Sequence, residues 1–486
     1  MHISSLPSKY GIGTLGEAAY RFADFLAETG QNYWQILPLG VTGYGNSPYQ
    51  SASSFAGNPY LIDLELLAEQ GLLQSSDYEN IDWGKDPCRV DYGQLYFYRN
   101  KVLSLAAKRF DKSNRDYIRF CKENTFWLDD FALFMAIKEH FNMVGFDQWP
   151  TEYAHRERTT LEKFAKHHTE KTDYYKITQY FFYSQESALK KYLNGKGIRL
   201  IGDIPFYTAY DSADVWANPQ LFLLDETLVP VDVAGVPPDA FSETGQLWGN
   251  PLYDFEAMAK DGYAWWARRL SHSLRLCDIL RIDHFRAFES YYAIPYGSRD
   301  ATEGNWVQGI GTEFFESLKI DKTQIIAEDL GIITDEVRAL IEKTGFRGMK
   351  VLQFAFDGKD DNLYLTKNYQ NGDCVVYTGT HDNDTTLGWF RNADLSIREQ
   401  VLRRVPYAFT QPATHALIRY AMESKADIVI IPMQDYLELG SEARMNTPAT
   451  TYGNWEWRLR EDYKSLKLVK EIKRMLRYRK ISSKQC

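Results

Sequence analysis

Cysteine is scarce in this chain of 486 residues. The five that occur are scattered, and none forms a C-x-x-C pair with another: Cys88, Cys121, Cys277, Cys374 and Cys486. An odd number of isolated cysteines supports neither a disulfide framework nor a zinc site. The simplest interpretation is a reduced protein of the cytoplasm.

Long apolar runs and an excess of basic residues are also missing. No run approaches the length of a membrane span, and no signal-like apolar segment opens the chain, so we expect neither membrane insertion nor secretion. The balance of 56 basic against 65 acidic residues gives a net charge of -9, which argues against nucleic acid as the partner. The sequence does not indicate an oligomeric state.

Several catalytic fingerprints are missing as well. No glycine-rich dinucleotide or phosphate loop follows an apolar run, and no G-x-S-x-G elbow occurs. Cys277 and Cys374 lie inside apolar runs, where burial keeps a thiol inert. Aromatic residues, in contrast, make up 15% of the chain. Core packing is their usual role, but flat rings also suit the faces of sugars.

Short apolar runs recur along the chain and alternate with segments of helical spacing. Counting a truncated first run at Met1 to Ile3, where we expect only a short strand, there are eight. Eight β/α units predict an α/β fold, the (β/α)8 TIM barrel, ahead of an open doubly wound sheet. The seven later runs are residues 33–38, 199–203, 279–283, 324–328, 350–354, 374–378 and 427–432.

Residues 1–486 are predicted to form a single catalytic barrel domain with largely helical insertions. The connection from about residue 43 to about residue 196 is too long for a plain βα unit, and we expect a helical insertion subdomain there. Within it, residues 126–142 and 174–193 have strongly amphipathic, aromatic-rich helical patterns. Glycines and prolines over about 231–254 predict an ordered lid loop across the mouth of the barrel.

Carboxylates stand where four of the apolar runs end. Active sites of TIM barrels lie at these strand ends, so Asp203, Asp283, Glu328 and Asp382 are expected to face one mouth. A strand-end aspartate often caps a loop instead, and for Asp203 we favour that structural role.

Glycoside chemistry needs two carboxylates with divided roles. Arg281 and Arg286 flank Asp283 and favour its charged form, as a nucleophile requires, although a purely structural ion pair is the alternative. The apolar approach to Glu328 would raise its pKa towards that of a general acid. The same carboxylates could instead bind magnesium, but the neighbouring arginines disfavour a divalent cation. We therefore expect no metal and no cofactor.

Three loops combine aromatic rings with polar side chains. The predicted lid contributes Asp239, Gln246 and Trp248, and similar mixtures occur over residues 45–51 and 444–448. These loops are candidates for binding a polar, ring-shaped substrate, although the lid could also be a plain connection with one buried tryptophan.

Nine stretches of the chain, from residue 2 to about residue 458, resemble the amylomaltases, the 4-α-glucanotransferases of glycoside hydrolase family 77. This resemblance implies a TIM barrel with helical insertions and a retaining double displacement without a metal. It also implies maltooligosaccharides and α-1,4-glucans as substrates. The stretches are HISSLPS, WQILPLG, NSPYQSASSFAGNPYLIDL, GDIPFY, GVPPDAFSETGQLWGNPLYD, RIDHFRAFE, AEDLG, THDND and GSEARMNTP.

The resemblance also assigns roles to residues. It makes Asp283 the nucleophile, Glu328 the acid/base and Asp382 the stabiliser of the transition state, with Arg281 and His381 beside them in the donor site. Further positions matched to sugar contacts are Asp239, Gln246, Trp248, Ser47, Tyr49 and Asn446, and, more loosely, Tyr92 and Phe354.

Two other functions stay open at this stage. A retaining α-glucan hydrolase would use the same carboxylates, because transfer and hydrolysis differ only in whether sugar or water attacks the intermediate. A catalytically silent glucan-binding protein would keep the aromatic residues but would not need the carboxylate pair.

Overall fold

The computed structural model describes residues 1–43, 45–238, 242–318, 320–370 and 372–482, without the side chains of residues 480–482. Its strands are β1 Tyr33–Gln35, β2 Arg199–Ile204, β3 Asp232–Val236, β4 Gln246–Pro251, β5 Ile279–Ile282, β6 Ser290–Pro295, β7 Asn305–Gln308, β8 Ile325–Ala327, β9 Gly348–Val351, β10 Cys374–Tyr377 and β11 Ile428–Ile430.

The α-helices of the described residues are α1 Glu17–Thr29, α2 Leu64–Glu69, α3 Tyr92–Arg109, α4 Arg115–Glu123, α5 Thr125–His140, α6 Thr151–Ala154, α7 Arg158–His167, α8 Thr169–Gly195, α9 Ala213–Ala217, α10 Phe255–Ala259, α11 Ala264–Leu276, α12 Glu313–Ser317, α13 Asp335–Thr344, α14 Thr386–Asn392, α15 Leu395–Arg404, α16 Ala413–Met422, α17 Met433–Tyr436 and α18 Leu466–Ser482.

The parallel strands form a TIM barrel, as the sequence predicted. They follow chain order as β1-β2-β5-β8 and β9-β10-β11, and a parallel bridge between Ile326 and Arg347 joins the two groups. One cluster of apolar side chains from all seven strands fills the interior, which is the packed core expected of this fold. Its strand residues are Tyr33, Ile201, Ile279, Ile326, Met349, Val351, Val375, Tyr377, Ile428 and Ile430.

The predicted first strand is wrong. Residues 1–6, all of which the structure describes, contain the 3-10 helix Ile3–Ser5 and no strand. Met1 and His2 still lie beside β1, since the Met1 amine donates to the Gln35 carbonyl over 3.2 Å. The chain turns immediately afterwards, because the Leu6 N–H donates a 3.0 Å hydrogen bond to the Ile3 carbonyl.

The long connection between β1 and β2 is mostly helical. Helices α5 and α8 confirm the helices predicted at residues 126–142 and 174–193. The amphipathic expectation for α5 is wrong, because α5 buries residues around most of its circumference. The extent of the insertion as a subdomain stays a prediction.

The segment predicted as a lid loop forms two strands of a second sheet. This sheet is antiparallel, with the order β4-β3-β6-β7. The glycines of the segment do not prevent pairing, because Gly235 pairs with Leu247 on one side and with Tyr292 on the other. Residues 232–236 and 246–251 are therefore regular strands where we expected only a loop, and the role of the segment as a lid stays a prediction.

Within the described part of the chain, no helix combines the length and the apolar character that crossing a bilayer requires.

Candidate active site

Arg281 on β5 joins two of the strand-end carboxylates. Its Nη1 donates to Asp203 Oδ2 and its Nη2 donates to Asp283 Oδ1, each over 2.7 Å. The Arg281 side chain is only 4% exposed. Burial alone would lower its pKa, but the two carboxylates raise the pKa well above its usual value. The guanidinium is therefore a fixed positive charge between Asp203 and Asp283.

Asp203 belongs to the site as a partner of Arg281. The Tyr49 hydroxyl also donates to its Oδ2, over 2.7 Å. Burial raises the pKa of Asp203 to about 6, although the nearby Arg281 opposes this shift. Asp203 Oδ1 is buried and has no hydrogen-bond partner among the described residues. The loop-capping role that we favoured is wrong, because no backbone N–H of the described residues donates to the Asp203 carboxylate, which instead holds Arg281 and Tyr49 at the mouth of the barrel.

Glu328 follows β8, and backbone donors hold both of its carboxyl oxygens. His284 N donates to Oε2 over 2.7 Å and Leu330 N donates to Oε1 over 2.8 Å. Burial, and next the charge of Asp283, raise the pKa of Glu328 well above its usual range. Arg281 and the two N–H groups act against this shift but do not cancel it. The structure therefore favours a protonated, precisely oriented carboxyl group.

Asp382 is held in the opposite charge state. His381 Nε2 lies 3.2 Å from its Oδ2, and Asn446 Nδ2 donates to its Oδ1 over 2.6 Å. Burial disfavours the carboxylate, but His381 and Asn446 together hold the pKa of Asp382 well below its usual range. The pKa of His381 is raised in turn, because Asp382 outweighs the effect of burial.

Tyr49 connects the two groups of charged residues. Its hydroxyl binds Asp203, while its ring stacks on the His381 ring with 5.1 Å between centroids and 16° between planes. Trp455 packs against both rings. Sequence reasoning missed Trp455, whose only signal was its aromatic type after the residue 444–448 loop.

His284 orients the acid group from an unusual backbone conformation. Its φ of 50° is in the left-handed region, which directs its N–H to Glu328. The His284 ring meets Trp248 edge to face at 4.9 Å. Burial lowers the pKa of His284 to about 3, so its ring is neutral at ordinary pH.

Arg286 does not flank Asp283 as the sequence suggested. Its Nη2 donates to Ser290 Oγ over 3.0 Å, its Nη1 donates to the Ile332 carbonyl, and the guanidinium lies over the Trp306 ring. Only Arg281 of the predicted pair contacts the Asp283 carboxylate.

The remaining predicted contact residues that the structure describes line the same cleft as the three carboxylates: Ser47, Tyr49, Tyr92, Gln246, Trp248, Phe354 and Asn446. Asp239, the last of the predicted contacts, lies outside the described residues. Two internal hydrogen bonds shape the lining. Trp248 Nε1 donates to Gln246 Oε1 over 3.1 Å, and the Tyr92 hydroxyl donates to the Trp455 carbonyl over 3.0 Å.

The cleft has a volume of about 3040 Å3, well above the 300–1,000 Å3 typical of sites for single small molecules. Its size suits a chain of several units. At its centre, the Arg281 guanidinium holds Asp283, and two backbone N–H groups hold Glu328. The charge of Asp283 contributes to the raised pKa of Glu328. Such a pair can divide the roles of nucleophile and general acid.

Comparison with known proteins gives a consistent result. Residues 1–464 match the family model described as 4-alpha-glucanotransferase. A 4-alpha-glucanotransferase of Streptococcus pneumoniae serotype 4 is 50% identical over 468 residues, which cover 95% of this chain and 92% of the relative. A 4-alpha-glucanotransferase of Clostridium butyricum is 47% identical over 482 residues, covering 98% of this chain and 99% of the relative.

A solved structure is similar over nearly the whole chain. The amylomaltase from Streptococcus agalactiae in complex with acarbose superimposes with a TM-score of 0.94 at 40% sequence identity. The match covers 98% of this chain and 97% of that one.

Proposed function

The chain belongs to the 4-alpha-glucanotransferase family of retaining transglycosylases, and on that premise we propose which of its side chains carry out the transfer. The reaction moves an α-1,4-glucan segment from a donor maltooligosaccharide to an acceptor sugar. The observation that carries the assignment is the Asp283–Arg281 contact next to a Glu328 carboxyl group whose pKa is raised by burial and by Asp283.

In the first step, Asp283 attacks the anomeric carbon of the donor. Arg281 orients this carboxylate through their 2.7 Å hydrogen bond. Glu328 gives its proton to the glycosidic oxygen as the bond to the leaving chain breaks. The products are a glycosyl ester on Asp283, a shortened sugar with a new hydroxyl group and a Glu328 carboxylate.

In the second step, Glu328 changes from acid to base. Esterification removes the negative charge of Asp283, which is one of the two main reasons for the raised pKa of Glu328. The pKa of Glu328 therefore falls once the intermediate forms. The carboxylate can then take the proton of an acceptor hydroxyl while that oxygen attacks the anomeric carbon and releases Asp283.

Asp382 supplies a fixed negative charge beside the reacting sugar. Its side chain is 46% exposed towards the cleft while His381 and Asn446 hold both oxygens. A carboxylate in this state can accept hydrogen bonds from sugar hydroxyl groups and stabilise the positive charge that develops in an oxocarbenium-like transition state. We assign Gln246, Trp248, Tyr49 and Asn446 to glucan binding on the basis of their places in the cleft wall.

Incubation with maltotriose tests the proposal. Transfer gives glucose together with a ladder of longer maltooligosaccharides, resolved by chain length. We expect Asp283→Asn to lose the ladder by at least about 10⁴-fold, as removal of a nucleophile does in other enzymes. Asp335→Asn is the matched control, since that carboxylate is 93% exposed at the start of α13.

The products also separate the alternatives. Glucose and maltose without longer chains would make the protein a hydrolase with the same carboxylates. A folded protein that leaves maltotriose intact would be a glucan-binding protein. Activity that survives in Asp283→Asn would contradict our assignment of the nucleophile.

We also propose that the enzyme acts in the cytoplasm. The free thiols of Cys88, Cys121, Cys277 and Cys374 support a reducing compartment. Fractionation of the producing cells tests this location. Activity recovered outside the soluble fraction would be the contrary result.

A further inference from the structure

Trp306 is an exposed aromatic side chain in the wall of the cleft. It lies on β7, is 42% exposed and belongs to the cleft lining. The Arg286 guanidinium carbon lies 3.9 Å from its ring centroid, and the Tyr292 ring packs edge to face against it at 5.3 Å. A cation and a second ring therefore fix the orientation of an indole that still presents much of its surface to the cleft.

The contacts of Arg286 place Trp306 on the Glu328 side of the reaction centre. Arg286 donates to the Ile332 carbonyl, in the loop that starts with Glu328. Arg286 also follows closely after His284, whose N–H holds the Glu328 carboxyl group. The groups that would bind the donor sugar, Asp382 and Asn446, form a separate cluster around His381.

The wall around Trp306 is apolar as well as exposed. Ile332 is 48% exposed and Leu247 is 41% exposed, and both line the cleft. Leu247 and Trp306 lie in one row across the second sheet. Leu247 pairs with Gly235, Gly235 with Tyr292, and Tyr292 with Trp306. Exposed apolar side chains that share one face of a cleft indicate a binding surface.

We propose that Trp306, supported by Arg286, is a stacking platform for the second sugar of the acceptor chain. This inference rests on the proposed function. The first acceptor sugar must place its hydroxyl at Glu328, next to His284 and Trp248. Trp306 contacts the Arg286 guanidinium, whereas the His284 ring contacts Trp248, and for this reason we place the free surface of Trp306 at the second sugar and not at the first. A glucose acceptor does not reach it, whereas maltose and maltotriose do.

The test measures elongation of labelled acceptors with unlabelled soluble starch as the donor. Trp306→Leu keeps an apolar side chain on β7 but removes the flat ring. We expect the KM of maltotriose as acceptor to rise about 3- to 10-fold, the size of one aromatic stacking contact. The KM of glucose and the kcat with either acceptor stay unchanged. Trp306→Phe, which restores a ring, recovers most of the lost affinity.

Phe409→Ala is the control, because that ring is 78% exposed between α15 and α16, outside the cleft wall. The inference would be overturned if Trp306→Leu keeps the wild-type ratio of the KM for maltotriose to the KM for glucose, whether both values are unchanged or both rise equally. It would also be overturned if Trp306→Phe does not restore the ratio. If the wild-type enzyme elongates neither acceptor, the proposed function itself fails, which is a different result from a variant that elongates both with the wild-type ratio.

Discussion

At the scale of single residues, the site contains carboxylates kept in different states by different means. Asp382 is ionised by His381 and Asn446, whereas burial and the charge of Asp283 favour the protonated form of Glu328. The apolar residues before Glu328 predicted that its pKa would be raised. The sequence could not predict the backbone donors from His284 and Leu330, because such contacts depend on how two loops from different strands meet.

A substrate that needs no acid isolates the role of Glu328. We expect Glu328→Gln to lose about 10²- to 10⁴-fold in rate with maltotriose, the usual contribution of a general acid. The same variant should still form the glycosyl ester from α-maltosyl fluoride, because fluoride leaves without a proton. Fluoride released in the first turnover, measured with an ion-selective electrode at high enzyme concentration, gives the rate of this step, because later turnovers also need Glu328 as the base.

Asp283→Asn serves as the comparison, since it should release no fluoride in any turnover. Equal losses of Glu328→Gln on maltotriose and on the fluoride would assign Glu328 to another role.

The raised pKa of Glu328 also affects stability. Between the ordinary glutamate pKa of about 4.3 and the raised value, the folded protein keeps a proton that the unfolded chain releases. The unfolded state thus binds fewer protons, so the free energy of unfolding falls as pH rises through this window. Glutamine does not titrate. We therefore expect the melting temperature of Glu328→Gln to rise relative to the wild type as pH increases.

Measurement of both melting temperatures across this window checks the sign. Glutamine also loses one backbone hydrogen bond, but this loss is the same at every pH and leaves the trend intact. A difference between the two proteins that is constant with pH would show that the folded-state pKa of Glu328 is not raised.

At the scale of secondary structure elements, local patterns were predicted better than long-range pairing. The barrel strands are short apolar runs because both of their faces are covered, and this signal lies within each strand. The second sheet escaped prediction because β3 pairs with β6, about 60 residues further along the chain. The predicted first strand failed for a related reason, since the chain turns at Ile3 and a short apolar run does not reveal such a turn.

Helix α8 shows how an insertion element supports the barrel. Gln185 accepts from Asp63 N over 2.7 Å and donates to Asp63 O over 3.0 Å, so one side chain satisfies both polar backbone groups of a buried residue. Gln179 does the same for Gly57, over 2.7 and 2.9 Å. These paired bonds fasten the segment after β1 to the helix.

Replacing Gln185 should therefore be costly. Gln185→Leu keeps a similar volume but leaves the Asp63 N–H and carbonyl unpaired, which costs about 2 to 4 kcal/mol in the free energy of unfolding. Urea unfolding measures the loss. Ser187→Ala, an exposed change on the same helix, should have little effect. A loss for Gln185→Leu no larger than that of the control would contradict this account of α8.

At the scale of the whole molecule, the cleft joins parts that are distant in sequence. The barrel contributes Asp283 and Glu328, the second sheet contributes Trp248, and the helical insertion contributes Tyr92. We expect a glucan bound along the cleft to contact all three parts at once. The binding free energy of a long glucan should therefore raise the free energy of unfolding of the whole protein.

Glucan length should accordingly control the stability of the complex. Glu328→Gln, which turns over slowly, allows saturation with ligand, and at 100 times the dissociation constant a ligand stabilises the folded state by about 2.7 kcal/mol. For a chain of this size we expect maltoheptaose to raise the melting temperature by about 2 to 4 °C. Maltose at the same concentration should raise it less, because it fills only a small part of the cleft. Cellohexaose, with β-1,4 links, follows a straighter path than a helical α-glucan and should give no shift. An equal shift with maltose and maltoheptaose would mean that only the reaction centre binds sugar, and that the rest of the cleft wall makes no contact with the chain.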